Sequence, residues 1–157
     1  MVQGFYYSTI FGRIGIAETD SAISHLFFAN TVKPAAFVEV ETPLLRQAAV
    51  ELEEYFSGKR FSFELPLNPP GTYFQQKVWK ELLRIPYGQT KTYQQIAKAI
   101  GNIKACRAVG MANHLNPIPI FIPCHRVIGA GGEIKGYAGG LAFKEALLRL
   151  EREGTYV

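Results

Sequence analysis

A proline-rich segment near the middle of the chain divides the sequence into two parts with different patterns. Residues 65–71 contain three prolines and one glycine, a composition that disfavours both a helix and the interior of a sheet. The length of 157 residues allows one ordinary domain or two small ones. We therefore predict two domains, residues 1–70 and 71–157, with the linker at residues 65–71.

The first part is rich in aromatic and β-branched residues that alternate along the chain. Residues 5–10, 13–17 and 23–28 predict three strands with short turns between them. Thr42 and Pro43 then suit the start of a helix that ends before Gly58. The residues predicted to form its apolar stripe are Leu45, Ala48, Ala49, Leu52 and Phe56. A few local strands followed by one helix indicate a small α/β or α+β unit.

The second part is predicted to be mainly helical. Thr72 can cap a first helix, and a second begins near Thr92 and stops at Gly101. A third is expected over residues 104–114, and a last one over residues 141–153. Two short helices joined by a tight glycine-containing turn match a helix-turn-helix, although any helical hairpin has this pattern.

Charge also separates the two parts. Residues 1–70 carry five basic and eight acidic side chains, a net charge of −3, whereas residues 71–157 carry twelve basic and five acidic ones, a net charge of +7. A basic half favours a polyanionic partner, and nucleic acid is the first candidate. An ordinary solvated surface of lysine and arginine fits the charge equally well.

The sequence shows neither a membrane-spanning segment nor a signal peptide. No segment approaches the roughly 20 apolar residues that cross a bilayer, and the N-terminus lacks the pattern of a signal peptide. We therefore expect a cytoplasmic protein without a membrane partner, in which Cys106 and Cys124 stay reduced. The three histidines are scattered and show no zinc-site spacing, so no metal is expected.

An apolar segment interrupted by prolines precedes the sequence Cys124-His125-Arg126. Residues 116–123 predict an extended, buried connector. A free thiol has a pKa of about 8.5 and needs a base or a positive charge to act as a nucleophile. Neighbouring side chains in an extended segment point to opposite faces, so His125 reaches the sulfur only through a turn or a water. Glu151 is the best carboxylate to orient the imidazole. From this pair alone, a buried apolar cysteine beside a surface histidine is the simpler interpretation.

Several further motifs accompany this cysteine, in order, along the second part. They are residues 71–79, residues 85–90, residues 107–110, Asn116-Pro117, residues 122–129, Gly136-Tyr137, Gly139-Gly140-Leu141 and Leu147-Leu148 before Glu151. Together they resemble the O6-alkylguanine-DNA alkyltransferase family, and Pro123-Cys124-His125-Arg126 is the most specific of them. The first part is similar to this family only as a strand-rich domain.

The resemblance implies an α+β fold, with a ribonuclease H-like small sheet-plus-helix domain followed by a mainly helical winged helix-turn-helix domain. It implies direct-reversal repair by a methylated-DNA–[protein]-cysteine S-methyltransferase without a cofactor. Such a protein acts as a monomer on double-stranded DNA, in the minor groove. It flips O6-alkylguanine out of the duplex and transfers the alkyl group irreversibly to its cysteine in a single suicide turnover; O4-alkylthymine is left open as a substrate. The alternatives are a non-enzymatic sensor of alkylated DNA and a cysteine hydrolase.

The resemblance also implies a role for individual residues. Cys124 accepts the alkyl group. His125 deprotonates the Cys124 thiol through a water, and Glu151 polarises His125. Tyr93 bonds the guanine ring, and Asn116 braces the joint between the recognition helix and the active-site strand.

DNA and the extruded base have their own expected contacts. Arg107 replaces the extruded nucleotide in the base stack. The other residues expected to contact DNA are Lys104, Ala108, Gly110, Asn113 and Arg126. The residues expected to line the substrate pocket are Val127, Tyr137, Ala138 and Gly139. The zinc site of some relatives is not expected, because the first part has no cysteine and only His25.

Overall fold

The alternating residues at the start of the chain form three antiparallel strands, as the sequence predicted. The computed structural model describes residues 1–29, 34, 36–137 and 139–155. The three strands are β1 (Gln3–Thr9), β2 (Gly12–Thr19) and β3 (Ala22–Phe28). The β2–β3 turn has positive φ at Asp20 (52°) and Ser21 (64°), the backbone geometry that lets two residues reverse a hairpin.

A fourth, very short strand was not predicted. This strand, β4 (Val38–Glu39), pairs in parallel with β1, so the order across the sheet is β3-β2-β1-β4. Two exposed residues are too few to show an alternating pattern, which explains why the sequence did not reveal it.

One helix, α1 (Pro43–Phe56), packs on this sheet. The Thr42 side chain accepts a hydrogen bond from the Leu45 amide, which satisfies a donor at the start of the helix. Of the predicted apolar stripe, Leu45, Ala48, Leu52 and Phe56 are buried and Ala49 is half-buried. The helix therefore begins where the sequence predicted, and it buries the predicted apolar face.

The chain divides into two compact units, Met1–Pro70 and Gly71–Val157. The second contains α2 (Tyr73–Leu82), β5 (Lys91–Thr92), α3 (Tyr93–Ala99), α4 (Cys106–His114), β6 (Val127–Ile128) and α5 (Leu141–Glu153). Strands β5 and β6 pair in parallel. A sheet with one helix, followed by a mainly helical unit, confirms the α+β fold. No helix of the described ranges is long and apolar enough to cross a membrane.

The helix-turn-helix consists of α3 and α4. Thr92 and Gln95 form a reciprocal capping box that fixes the first residue of α3, and Gly101 has a φ of 84° in the turn after it. Helix α4 begins at Cys106, two residues later than predicted, because no side chain caps its start. The indole nitrogen of Trp79 donates to the Ala112 carbonyl at 2.9 Å and so fixes α4 against α2.

The segment before Cys124 is buried as predicted, but the prediction that it is extended is wrong. The Ile122 amide donates to the Ile118 carbonyl at 2.9 Å, so the chain folds back on itself, and Ile120 has a φ of 76°. Asn116 closes this loop, since its side chain accepts from the Ile118 amide at 3.0 Å and donates to the Ile122 carbonyl at 2.9 Å. Prolines exclude a helix or a central strand, but they are compatible with turns.

Candidate active site

Cys124 begins a single turn of 3-10 helix, Cys124–Arg126, directly after the folded loop. Its side chain is almost completely buried, with 4% exposed. Burial raises the pKa of this thiol to about 11, although a hydrogen bond with Asn116 and the charge of Lys144 oppose the shift. The thiol is therefore protonated at neutral pH and needs a base before it can attack an electrophile.

His125 lies in the same turn and is fully buried. The chain turns here, so the opposite-face geometry of an extended segment does not apply. The imidazole Nε2 and Glu151 Oε2 are 2.7 Å apart. Burial lowers the pKa of His125, and contact with Glu151 only partly offsets this. The ring is therefore neutral at neutral pH, the protonation state that a general base requires.

Glu151, on α5, accepts hydrogen bonds from three directions. Besides His125, Arg126 donates to both carboxylate oxygens, Nε to Oε1 at 2.8 Å and Nη2 to Oε2 at 3.0 Å. The Gly88 amide donates to Oε1 at 3.0 Å. Burial alone would raise the pKa of Glu151, but the bonds from His125 and Arg126 outweigh it and hold that pKa well below its usual range.

Arg126 was expected to contact DNA, and the structure places it inside the domain. Only 8% of the residue is exposed, and its third nitrogen, Nη1, donates to the Ile85 carbonyl at 2.7 Å. Its guanidinium also lies 5.7 Å from the centre of the Tyr87 ring. All three nitrogens thus donate to acceptors inside the domain, and the buried guanidinium is not presented to a phosphate at the surface.

Asn113 was also expected to contact DNA, and its side chain is likewise buried. The residue lies on the buried face of α4, with its amide nitrogen 3.3 Å from the Cys124 carbonyl. Asn113 therefore links α4 to the turn that carries the cysteine. Asn116 lies close by and, as described, closes the loop before that turn.

The other residues expected at the pocket lie around this turn. Tyr93 is the first residue of α3, and burial together with the nearby Cys124 raises its pKa. The Tyr137 ring is buried, perpendicular to the His125 imidazole at a centroid distance of 6.5 Å. Val127 is buried and Gly139 half-buried, whereas Ala138 lies outside the described residues.

Lys144 is a site residue that the sequence analysis missed. It is fully buried on α5, and its Nζ donates to the Val127 carbonyl at 2.7 Å and the Lys135 carbonyl at 2.9 Å. Burial lowers the pKa of this lysine, and the charge of a Cys124 thiolate opposes the shift. A signal was present, because Lys144 precedes Glu151 by seven residues, on the helical face of Leu147 and Leu148.

The exposed side of the helix-turn-helix carries the remaining residues expected to contact DNA. Arg107 and Ala108 are exposed at the start of α4, Lys104 is exposed in the turn before it, and Gly110 is half-buried. Met111, one helical turn after Arg107, is also exposed and was not predicted. A cationic side chain on a helix with small neighbours fits close approach to a nucleic acid backbone.

Comparison with known proteins gives matches along almost the whole chain. Residues 1–69 match the family model of the 6-O-methylguanine DNA methyltransferase ribonuclease-like domain, and residues 73–153 match that of the DNA binding domain. The methylated-DNA–protein-cysteine methyltransferase of Methanosarcina barkeri is 51% identical over 153 residues, covering 93% of this chain and 96% of the relative. The constitutive enzyme of Bacillus subtilis is 46% identical, covering 94% and 95%.

A solved structure agrees with these matches. Mycobacterium tuberculosis OGT in complex with DNA superposes with a TM-score of 0.91 and 40% identity, covering 98% of this chain and 94% of that one. The two domain models together cover both units, and each of the two relatives and this structure spans both. The chain therefore belongs to the 6-O-methylguanine DNA methyltransferase family and is a DNA-binding protein of direct-reversal DNA repair.

Proposed function

We propose that this protein removes an alkyl group from the O6 atom of guanine in duplex DNA and takes it onto the sulfur of Cys124. The observation that carries this proposal is a buried thiol followed, in the same turn, by a buried histidine whose Nε2 lies 2.7 Å from the buried carboxylate of Glu151. The names of the relatives support it, since they are methylated-DNA–protein-cysteine methyltransferases.

The reaction needs a proton to leave Cys124 before the sulfur attacks. His125 takes this proton through a water, and Glu151 stabilises the imidazolium that results. Because Nε2 faces Glu151, the water acts at the other ring nitrogen, Nδ1. The thiolate then attacks the alkyl carbon, a carbon–sulfur bond forms, and the bond from that carbon to O6 breaks. The bonding electrons go to the guanine, and the thioether left on Cys124 has no route back to a thiol.

The leaving guanine carries the negative charge that the sulfur has lost. Tyr93 bonds the ring and helps to neutralise it; its raised pKa keeps the hydroxyl a donor. Tyr137 lines the pocket, and the backbone near Cys124, Val127 and Ala138 reads the edge of the base. Gly139 leaves room for that backbone to approach.

The base must leave the duplex before the sulfur can reach it. Flipping costs a few kcal/mol, and Arg107 offsets part of this by entering the stack in place of the nucleotide. Lys104 neutralises phosphate, while Ala108 and Gly110 let α4 lie close to the minor groove, which suits recognition that does not depend on sequence. Asn116 keeps α4 in register with the cysteine turn. The protein acts as a monomer.

The direct test is the mass of the protein after incubation with a duplex that contains one O6-methylguanine. We expect a gain of one methyl group, about 14 Da, on the peptide of Cys124, and no more than one per molecule. An unmodified protein that still binds the duplex indicates a sensor, and repeated turnover indicates a hydrolase. Either result would contradict the proposal.

Replacing Arg107 by alanine should slow transfer from duplex DNA by about 10- to 100-fold, because part of the cost of flipping is no longer offset. The modification of Cys124 by a small free alkylating agent should be unchanged, since no base has to be flipped. Single-turnover rates on the two substrates test this. Arg84→Ala is the control, since this arginine is 76% exposed and pairs only with Glu81 in the contacts described. Equal duplex rates for Arg107→Ala and the wild type would contradict the role of Arg107.

A further inference from the structure

Arg126 is the residue of the site whose role the reaction above leaves unexplained. Its guanidinium makes three hydrogen bonds, two to Glu151 and one to the Ile85 carbonyl, and it is almost completely buried. Holding an arginine in this way costs solvation energy, which the bidentate pairing with Glu151 repays only because the geometry is good. Arg126 is therefore built into the centre of the site.

Glu151 is shared between two partners that both attract its charge. His125 approaches Oε2, while Arg126 spans both oxygens and the Gly88 amide adds a third donor. A carboxylate that faced His125 alone would strongly favour the imidazolium, because an opposite charge in contact stabilises the charged form. A protonated His125 cannot accept the proton of Cys124. The positive charge of Arg126 on Glu151 therefore changes what His125 can do.

We infer that Arg126 is a positioning residue that acts through Glu151: by neutralising the carboxylate, it keeps His125 an uncharged base that can receive the proton of Cys124. This inference rests on the proposed function, in which His125 receives that proton. Arg126 is thereby given a role in proton transfer within the site, in place of the expected contact with DNA.

Among the groups that face His125, the positive charges lower its pKa and Glu151 raises it. Lys144, from α5, adds a second buried positive charge and lowers the pKa of His125, as Arg126 does. Burial acts the same way and is the largest cause. Glu151 is the group that raises this pKa, and the Tyr137 ring contributes an uncharged wall at 6.5 Å. Cys124 is uncharged until it gives up its proton.

The test is the pH dependence of the single-turnover transfer rate, measured at saturating protein for the wild type, Arg126→Met and Arg126→Lys. In Arg126→Met the acid side of the profile should move to higher pH by at least one unit, which is about a tenfold loss of rate there. Near pH 9 the rate should recover towards that of the wild type. Arg126→Lys keeps the charge and should restore the acid side of the profile.

Two outcomes would overturn this inference. A loss of rate in Arg126→Met by the same factor at every pH would show a purely structural role, and an unchanged profile would show no role. Arg84→Met is the matched control, since it removes the same charge from an exposed position of the same domain. Its profile should equal that of the wild type.

A second measurement can still overturn the inference if Arg126→Met does not fold. In the unsubstituted protein, ¹⁵N chemical shifts of His125 at pH 6.5 should report a neutral imidazole with one protonated nitrogen. An imidazolium at this pH would overturn the inference. A failure of the proposed function itself would look different: the wild-type protein would gain no methyl group at any pH, whatever the state of His125.

Discussion

Replacing Cys124 by serine should abolish methyl transfer and leave DNA binding intact. Sulfur and oxygen occupy similar space in this buried turn, so the fold should tolerate the change. A hydroxyl, however, is a much weaker acid and nucleophile than a thiol, and the His125–Glu151 pair cannot compensate for this. We expect a loss of at least about a thousandfold, since removing the nucleophile disables the whole catalytic unit.

Mass spectrometry after incubation with methylated duplex measures this loss, and a gel-shift titration measures binding. The matched control is Cys106→Ser, the same substitution at the other cysteine, which lies half-buried at the start of α4. This variant should gain one methyl group as the wild type does. A methylated Cys124→Ser protein, or an unmodified Cys106→Ser protein, would assign the acceptor to the wrong residue.

Replacing Glu151 by glutamine should damage both the reaction and the fold. The change leaves Arg126 buried without a countercharge, and removing one partner of a buried ion pair typically costs about 3–5 kcal/mol. It also removes the charge that stabilises protonated His125, so transfer should slow by about 10²- to 10⁴-fold, the usual contribution of a general base. Urea unfolding and single-turnover rates measure the two effects separately.

The loss of stability in Glu151→Gln should become smaller as the pH falls. The pKa of Glu151 is depressed in the folded protein, so its stabilisation is complete above the unfolded-state pKa of about 4.3 and is lost as the pH falls below that value. The difference between wild type and Glu151→Gln should thus shrink by about 1.4 kcal/mol for each pH unit below 4.3.

Glu145→Gln is the control for this prediction, since Glu145 is on the same helix but exposed, 3.8 Å from Arg149. Its effect should stay below about 1 kcal/mol at every pH, as is usual for surface pairs. A Glu151→Gln variant as stable as this control at pH 7 would contradict the account of the buried pair.

The elements that the sequence predicted well are those specified by neighbouring residues. The three strands follow from alternation, and α1, α2 and α3 begin where Thr42, Thr72 and Thr92 can cap them. Helix α4 has no such cap, and its start was misplaced by two residues. Strand β4 depends on pairing with β1 across the chain, which local pattern does not contain.

For the candidate site, too, sequence motifs were informative and contacts between distant residues were not visible. Cys124, His125 and Glu151 were expected at the site from the family motif, and the structure brings them together. Arg126 was expected at DNA because a basic half favours such contacts, whereas the structure pairs it with Glu151, which lies 25 residues further along the chain. Asn113 was also expected at DNA, whereas the structure directs its side chain at the Cys124 carbonyl, because the periodicity of a helix does not show which neighbour covers a polar side chain.

The burial of the Cys124 side chain also affects the protein before it meets a damaged base. Oxidation of cysteine to sulfenic acid follows thiolate content and exposure, and this thiol has a pKa of about 11 and is 4% exposed. Peroxide and other small oxidants therefore find little thiolate to attack. For a protein whose nucleophile reacts only once, this resistance means that molecules waiting for damage are not inactivated before a damaged base arrives.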